Sequence, residues 1–385
     1  MVTREWPPKI YGGAGVHVNN LVAALRELSD SSSLTLDVHC FDGPRDDAHG
    51  YTLDPALTGI NPALATMLID HDIAMALGRA GNVDLVHSHT WYANFAGEVA
   101  RRALEIPHVI TAHSLEPLRP WKAEQLGSGY AISSWIEESA YRNADAIIAV
   151  SDGMRDDVLT NYPFLDPTKV RTIYNGIDST HFAPNPSKDF ITEAGIAEPF
   201  ALFVGRITRQ KGLVHLLRAW RRVNPDLGLV IAAGNPDEPA IGQEIEALIK
   251  ELKIERSNIW HFSSMLSHDA LTELLSHAEV FLCPSIYEPL GIVNLEAMAC
   301  ECPVVATSVG GIPEVVMHGV TGDLVPLSPN SDDFEFDFAE TVNLLFADDA
   351  RRARYGKAGR DRVQREFGWD RIAAQTRDLY RTLVH

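Results

Sequence analysis

Three short segments combine residue types that could bind a phosphorylated ligand rich in hydroxyl groups. They are the glycine loop Gly12-Gly13-Ala14-Gly15, the basic segment Gly205–Gly212 with Arg206 and Lys211, and the acidic segment Pro284–Met298 with Glu288 and Glu296. Adjacent glycines let backbone N–H groups approach a phosphate, and two cations can hold a diphosphate from two sides. Carboxylates accept hydrogen bonds from the hydroxyls of sugars and ribose.

The basic and acidic segments each follow a predicted buried strand and lead into a predicted helix. Two nearby cations usually lie on a solvated surface loop and bind nothing. Here their position favours ligand binding by Arg206 and Lys211, because ligands of doubly wound sheets bind at the carboxyl ends of strands. Glu288 precedes a helix that starts near Gly291, where free N–H groups attract anions. Gly310-Gly311, one strand later, argues against reading Glu288 as an ordinary helix-start acid.

The glycine loop does not fit a dinucleotide-binding fingerprint, and no metal site is apparent. Val18 stands where the pattern Gly-x-Gly-x-x-Gly requires its last glycine, which counts against an oxidoreductase. His87 and His89 share one face of a strand, because alternate residues do, but no third ligand of matching spacing is evident. Cys300 and Cys302 have no second pair with which to hold zinc. We therefore expect no metal ion.

These segments need a scaffold of strands and helices, and the hydrophobic pattern provides one twice. Apolar runs in the first half predict strands at Leu34–Phe41, Val83–His87, His108–Thr111, Ala144–Val150 and Val170–Tyr174. Those in the second half predict strands at Phe200–Val204, Leu227–Ala233, Asn258–Phe262, Glu279–Cys283, Pro303–Ala306 and Gly322–Val325. Helical periodicity predicts helices at Val16–Leu28, Asn94–Leu104, Ser133–Arg142, Gly212–Val223, Ile241–Leu252, His268–His277 and Ile292–Ala299. This alternation predicts an α/β protein with parallel sheets, and the strands are too many for one compact sheet.

The boundary between two domains is expected near Asn175–Pro186, where Asn-Gly marks a turn and two prolines interrupt regular structure. We predict one Rossmann-like domain over 1–180 and a second over 181–367. The polar, acidic segment Ser328–Phe338 is predicted to be a surface loop. Residues 368–385 are predicted to form a C-terminal helix that packs back toward the N-terminal domain, although periodicity alone does not say which domain it covers.

Composition excludes several classes of partner. The chain has 385 residues and a formal net charge of −19, with 33 Lys and Arg against 52 Asp and Glu. This charge disfavours nucleic acids and anionic membranes, which attract basic proteins. No apolar run approaches the length of a membrane span, and no leader is apparent at the start. With only four cysteines, a reducing cytoplasmic location is expected.

Taken together, these motifs resemble retaining glycosyltransferases of family 4, which have the GT-B fold of two doubly wound domains facing across a cleft. The resemblance rests on the glycine loop, on Arg206 with Lys211, and on Glu288 and Glu296 with seven residues between them. Longer runs at 12–18, 87–92, 111–122 and 287–296 are similar to the actinobacterial glycogen synthase and α-maltose-1-phosphate synthase group, which uses ADP-glucose. One departure is that the family's first strand looks truncated here, since only Met1–Trp6 precede Pro7-Pro8.

The resemblance implies an acceptor-side N-terminal domain and a nucleotide-sugar-binding C-terminal domain. The implied donor-binding residues are Gly13, Arg206, Lys211, Leu290, Gly291, Ile292 and Glu296, with Glu296 at the ribose. His113 and Glu288 are implied at the transferred glucose, although His113 alone would read as an ordinary loop histidine. The nucleobase is expected near Ser263–Leu266. No cofactor is expected, because ADP-glucose is the donor substrate.

The implied reaction is retaining α-1,4 transfer of glucose from ADP-glucose to glucose 1-phosphate, to α-glucan chains, or to both. An acidic protein repels a phosphorylated acceptor unless a local cationic patch is present, and Arg119 with Lys122 is the best candidate patch in the first domain. Both could equally be surface charges. Alternative functions are a sugar-nucleotide epimerase, a hexosyltransferase with another nucleotide sugar, and a non-catalytic nucleotide-sugar binder.

Overall fold

The computed structural model describes residues 1–29, 34–119, 122–123 and 127–384, and divides the chain into two compact units. Unit 1 comprises Met1–Gly176 together with Trp369–His385, and unit 2 comprises Ile177–Gly368. The first break falls inside the predicted boundary region, after the Asn-Gly turn. The chain therefore leaves unit 1 at Gly176 and returns to it at Trp369.

Unit 1 is built on a seven-stranded parallel sheet with the order β3-β2-β1-β4-β5-β6-β7. Its strands are β1 Val2–Thr3, β2 His39–Phe41, β3 His49–Tyr51, β4 Val86–His89, β5 His108–Ala112, β6 Ala146–Ala149 and β7 Val170–Thr172. Its helices are α1 Gly13–Ser29, α2 Pro62–Ala80, α3 Trp91–Leu104, α4 Gly129–Asn143 and α5 Asp152–Asn161. The strand order reverses direction between β1 and β4, which is where ligands of such sheets bind.

Unit 2 repeats this architecture with six parallel strands in the order β10-β9-β8-β11-β12-β13. The strands are β8 Phe200–Ile207, β9 Gly228–Pro236, β10 Ile259–Phe262, β11 Val280–Cys283, β12 Val304–Thr307 and β13 Gly322–Val325. The helices are α6 Asp189–Glu193, α7 Leu213–Ala219, α8 Pro239–Glu255, α9 His268–His277, α10 Ile292–Ala299, α11 Ile312–Val315, α12 Ser331–Phe346 and α13 Asp349–Glu366. Here the order reverses between β8 and β11, the strands that the basic and acidic segments follow.

The last helix, α14 Trp369–Leu383, packs against α1 in unit 1. Its buried residues Ile372, Ala373 and Tyr380 join Val18 and Leu21 of α1 in one apolar cluster. The helical spacing of the apolar side chains explains this, because it places them on a single face. The C-terminal segment thus completes the core of the unit with which the chain begins.

Apolar clusters cover both faces of the sheet in unit 1. Met1 belongs to the cluster that contains α1 and α14, whereas Val2 belongs to the cluster that contains α2 and α3. Because neighbouring residues of a strand point to opposite faces, the two clusters lie on opposite sides of the sheet. No described helix is long and apolar enough to cross a bilayer.

The prediction that the acidic segment Ser328–Phe338 is a loop is wrong from Ser331 onward, where α12 begins. Phe334, Phe338, Val342 and Leu345 recur at helical spacing and are buried in the core of unit 2, whereas Asp337 and Glu340 are exposed. Glu335 is also buried, and its Oε1 lies 2.9 Å from His215 Nδ1. Strand β3 was not predicted, because three residues are too few to show a period. The first strand, expected to be truncated within Met1–Trp6, is present as β1 and is two residues long. Although short, β1 is central, pairing with both β2 and β4.

Candidate active site

Two loops of unit 2 meet where its strand order reverses. The loop after β8 ends at Gly212, whose φ of +65° is left-handed, and a Cβ there would lie 2.0 Å from the carbonyl oxygen of Pro284. The N–H of Ile286 donates to the carbonyl of Gln210 at 2.9 Å. Only glycine fits such a conformation at such close approach. The sequence therefore brings the basic and acidic segments together as predicted.

Lys211 and Glu288 form an ion pair at this junction. The ammonium nitrogen lies 2.6 Å from Glu288 Oε2, and the two side chains are only 16% and 9% exposed. Ser285 donates a further hydrogen bond to the same oxygen at 3.3 Å. Burial lowers the pKa of Lys211, but Glu288 outweighs it and the pKa is raised overall. Lys211 is thus a fixed, permanently charged cation at the mouth of the sheet.

Arg206 lies near the end of β8 and pairs with a carboxylate on the neighbouring strand connection. Its Nη1 donates to both oxygens of Asp237, at 3.2 and 3.0 Å, and the side chain is 38% exposed. Such a pair is worth little to stability, because water screens it. With 38% of its side chain exposed, Arg206 lies at the surface near the same end of the sheet as Lys211. Its contact with a diphosphate stays a prediction.

The backbone of Glu288 is held by the glycine pair that follows β12. The N–H of Gly311 donates to the carbonyl of Glu288 at 3.0 Å, and a Cβ on Gly310 would lie 2.0 Å from that oxygen. Leu290 is buried beside it, and Gly291, with a φ of +94°, starts α10 at Ile292. The first N–H groups of a helix lack intrahelical partners. The acidic segment therefore presents a carboxylate and free donors at one place, as the sequence predicted.

Glu296 lies on the second turn of α10, and burial raises its pKa to about 7, with Lys211 acting in the opposite direction. Asn294 on the same helix is fully buried, and neither of its side-chain polar atoms has a hydrogen-bond partner among the described residues. A Cβ on Gly291 would lie 2.6 Å from the amide nitrogen of Asn294. Sequence reasoning missed Asn294, because a single amide in an apolar helix carries no periodic signal.

The segment Ser263–Leu266, where the nucleobase is expected, directly follows β10 of the same sheet. Its residues are mostly exposed, with Met265 at 87%. The exposed thioether of Met265 could pack against a flat aromatic ligand. The assignment of the nucleobase to this segment stays a prediction.

The glycine loop of unit 1 is shaped by a carboxylate that sequence analysis did not single out. Glu5 Oε2 accepts hydrogen bonds from the N–H groups of Tyr11 and Gly12, at 2.9 and 2.8 Å. A Cβ on Gly15 would lie 2.5 Å from the same oxygen, so glycine is needed there. Gly13 follows as the first residue of α1, where backbone N–H groups lack intrahelical partners. Glu5 therefore positions the loop that the sequence assigns to a phosphate.

His113 directly follows β5 and is packed among other histidines of unit 1. Its Nε2 lies 3.1 Å from His89 Nδ1, and its ring meets that of His17 edge-on at 4.8 Å between centroids. Burial lowers the pKa of His113 to about 3, so the ring is neutral at physiological pH. His87 points elsewhere, bonding to the hydroxyls of Tyr380 and Thr111 at 2.6 and 2.7 Å. His87 and His89 therefore do not form a pair of metal ligands, although they alternate along one strand.

Arg119 and Lys122 are not the free cations that a surface patch would present. Arg119 Nη2 donates to Glu116 Oε1, and Lys122 Nζ lies 3.6 Å from the same oxygen, while the Glu116 side chain is fully buried. Burial, with Arg119 adding to it, lowers the pKa of Lys122 to about 8. The ammonium also lies 5.6 Å from the centroid of Tyr92, whose ring carries the guanidinium of Arg4 at 4.1 Å.

Cations therefore outnumber carboxylates around Tyr92. Arg4 and Lys122 lie against its ring, Arg119 and Lys122 pair with Glu116, and Glu137 Oε1 accepts from the N–H of Glu116 at 2.8 Å. Burial and the charge of Glu116 raise the pKa of Glu137 to about 7. The arrangement holds an excess of positive charge at a half-buried aromatic ring. Arg4 was missed from sequence because it precedes the glycine loop and lies far from Arg119 along the chain.

Profiles of two glycosyltransferase families together match most of the chain. The profile described as Glycosyltransferase Family 4 matches residues 11–181, and that described as Glycosyl transferases group 1 matches residues 187–362. The chain is 51% identical to alpha-maltose-1-phosphate synthase of Mycolicibacterium smegmatis over 99% of its length and 98% of that protein. It is 29% identical to glycogen synthase of Mycobacterium tuberculosis over 99% of its length and 93% of that protein.

Solved structures share the architecture over the whole chain. Sucrose-phosphate synthase from Thermosynechococcus elongatus matches with a TM-score of 0.80 and 25% identity, covering 100% of this chain and 99% of that one. The catalytic domain of starch synthase IV from Arabidopsis thaliana, bound to ADP and acarbose, matches with a TM-score of 0.74 and 17% identity, covering 100% and 98%. The second likeness concerns the fold alone.

Proposed function

Since the chain belongs to glycosyltransferase family 4, we propose that it is a retaining α-1,4-glucosyltransferase that moves glucose from ADP-glucose to glucose 1-phosphate. The family and the GT-B fold predicted from the sequence are both confirmed. The observation that carries the proposed reaction is 51% identity, over nearly the full length, to a protein named alpha-maltose-1-phosphate synthase. The acceptor rests on that relative's name and on the charges described above, whereas ADP-glucose as the donor rests on the resemblance of the sequence motifs.

In the donor site, Lys211 and Arg206 bind the diphosphate. Lys211 is buried beside Glu288 and keeps its charge, so it can offset the charge that develops on the departing nucleoside diphosphate. The free N–H groups at Gly291 and Ile292 add donors at the start of α10. Glu296 accepts from the ribose hydroxyls, and its raised pKa reduces repulsion of the anionic donor at neutral pH.

At the transferred glucose, Glu288 of unit 2 holds sugar hydroxyls, and the role of His113 at the same sugar rests on the resemblance to the family alone. The C1–oxygen bond to the diphosphate breaks, and a new bond forms between C1 and the acceptor O4. The acceptor hydroxyl proton passes to a phosphate oxygen of the leaving ADP, which balances the step. No second carboxylate is needed as a nucleophile, so orientation of the reactants and stabilisation of the leaving group supply the catalysis.

The acceptor phosphate binds among Arg4, Arg119 and Lys122. A chain of net charge −19 repels a sugar phosphate, so binding requires a local excess of cations. Arg4 and Lys122 lie against the ring of Tyr92. Because the ring already restricts both side chains, little further rotamer freedom is lost when the acceptor binds. The excess of cations over the single Glu116 carboxylate favours a dianionic acceptor over a neutral glucan.

Transfer to α-glucan chains is the second candidate reaction, since glycogen synthase is among the relatives. A matrix of initial rates tests both, with ADP-glucose or UDP-glucose as donor and glucose 1-phosphate, maltoheptaose or glycogen as acceptor. Released nucleoside diphosphate is measured in each. The highest rate is expected with ADP-glucose and glucose 1-phosphate. If only the glucans accept glucose, the phosphorylated acceptor is wrong, and donor consumption without any acceptor would instead indicate an epimerase or a hydrolase.

A cytoplasmic location fits this proposal. All four cysteines are free and buried, which is compatible with a reducing compartment. Sugar nucleotides and sugar phosphates are substrates of intracellular metabolism, so a cytoplasmic enzyme would meet both.

A further inference from the structure

Three histidines of unit 1 converge on one point although they lie on three different elements. His17 is on α1, His89 ends β4 and His113 follows β5. One ring nitrogen from each lies within 4.8 Å of the others. His17 and His89 are 3% and 1% exposed, and His113 is partly exposed, so the cluster opens to solvent on one side.

His17 is the member of this cluster whose ring nitrogens lack hydrogen bonds. Both of its ring nitrogens are buried, and neither has a hydrogen-bond partner among the described residues. The side chain of Asn175 lies close enough to act on the pKa of His17, but its own oxygen also lacks a hydrogen bond of good geometry. A buried imidazole without partners costs free energy, because the hydrogen bonds it made with water are not replaced. A ligand that accepts a nitrogen lone pair would recover this cost.

We propose that His17, His89 and His113 form a binding site for a divalent transition-metal ion, with Zn²⁺ as the best match. Imidazole nitrogens suit zinc, and three histidines with an open fourth position make a recognised zinc site. Zn–N bonds of about 2.1 Å place tetrahedral ligands about 3.4 Å apart. His89 Nδ1 and His113 Nε2 are already 3.1 Å apart, so chiefly the ring of His17 has to move closer.

Besides this movement of His17, binding requires a particular placement of protons on the ring nitrogens and replaces the contact between His89 Nδ1 and His113 Nε2. A lone pair is needed on His89 Nδ1 and on His113 Nε2, so each ring carries its proton on its other nitrogen. For His89 that nitrogen is Nε2, which lies 2.9 Å from the sulfur of Met1 and can donate to it. His87 does not compete for the ion, because both of its nitrogens are bonded to hydroxyls.

A bound ion would engage the ring of His113, which the proposed function assigns to the transferred sugar. Zinc should therefore inhibit the glucosyltransferase, and this part of the inference rests on the proposed function. Binding itself does not depend on that function. The inferred role of the ion is reversible occupation of the site and not catalysis.

The test measures zinc binding directly. Chelator-treated protein is titrated with ZnSO₄ by isothermal titration calorimetry, using wild type, His17→Phe and the control His181→Gln. His181 is exposed and stacks on His268 at 3.4 Å in unit 2, so its loss reports adventitious binding to surface histidines. One zinc ion per chain is expected for wild type and control, with affinity at least tenfold weaker in His17→Phe. Thermal unfolding checks the fold, and His89→Asn replaces the first variant if that variant does not fold.

The outcomes separate the two proposals. Absence of zinc binding by wild type, or equal affinity in the His17 and control variants, overturns the metal site. Zinc that binds wild type with unit stoichiometry without lowering transferase rates overturns the inferred contact of His113 with the sugar, but leaves the metal site standing. A protein that binds zinc and has no transferase activity under any donor or acceptor contradicts the proposed function alone.

Discussion

Lys211 Nζ lies 2.6 Å from Glu288 Oε2, although 77 residues separate the two in the chain. The pair joins the loops that follow β8 and β11, the strands on either side of the reversal in sheet order. Each side chain fixes the other, so a cation and a carboxylate are held ready where a nucleotide sugar would bind. Under the proposed function, this ion pair would couple recognition of the diphosphate with recognition of the sugar.

Lys211→Ala is expected to lower kcat/KM for the donor by roughly ten- to 150-fold, because a lost charge-assisted contact is worth about 1.5–3 kcal/mol. Steady-state rates at varied ADP-glucose give this value. Arg209→Ala is the matched control, since Arg209 lies in the same loop but is 50% exposed and only 3.7 Å from Glu238. Unchanged donor kinetics in a folded Lys211→Ala protein would rule out the diphosphate contact.

Glu296→Gln and Glu288→Gln should differ in the kinetic constant that changes. The ribose does not react, so Glu296→Gln is expected to raise the donor KM with little change in kcat. Glu288 lies beside the reacting carbon, so Glu288→Gln should lower kcat as well. The opposite pattern, measured on both variants under the same conditions, would mean that the two glutamates have been assigned the wrong way round.

Local sequence patterns predict some elements of the fold and of the candidate site but not others. Helices α9 and α10 begin and end where periodicity predicts, and the donor segments assigned to unit 2 meet where its strand order reverses. Gly13, which was also assigned to the donor, lies in unit 1. Helix α12 was misread as a loop, because its acidic first turn hides the apolar spacing that continues to Leu345. The histidine cluster could not be predicted, since His17, His89 and His113 meet only through packing of α1 on the sheet.

Arg4→Ala is expected to raise the KM for glucose 1-phosphate several-fold and to leave stability nearly unchanged. Arg4 is exposed and contacts the ring of Tyr92, whereas Arg119 neutralises the buried Glu116. Arg119→Ala should also raise this KM, but it leaves a buried carboxylate with one fewer partner and should lower the stability of the fold. Rates with glycogen serve as the control for both. Equal effects of Arg4→Ala on the two acceptors would exclude a phosphate contact.

Glu5→Ala should weaken the glycine loop, because two backbone N–H groups lose their acceptor. Glu5→Gln keeps one acceptor oxygen and is the conservative control. We expect a higher donor KM and a lower unfolding temperature for the alanine variant, with the glutamine variant intermediate. Donor kinetics identical to wild type in Glu5→Ala would show that this loop does not contact the donor.

Glu137 predicts a pH dependence of stability that is independent of function. Its carboxyl is 1% exposed and has a pKa of about 7 in the fold, above its ordinary value of 4.5, so the stability that this group contributes is fully present below about 4.5 and is lost as pH rises through about 7. The decline attributable to this group is about 3 kcal/mol. Urea unfolding near pH 5 and near pH 8 should show a smaller difference for Glu137→Gln than for wild type. An equal difference in both proteins would contradict the raised pKa.

The most direct test of the account is the structure of the product formed from ADP-glucose and glucose 1-phosphate. Proton and phosphorus NMR of the purified product report the linkage, the configuration at each anomeric carbon and the position of the phosphate. The proposed reaction yields a disaccharide with a new α-1,4 bond and an intact α-1-phosphate. A β linkage, or transfer of glucose without a phosphorylated disaccharide, would contradict it.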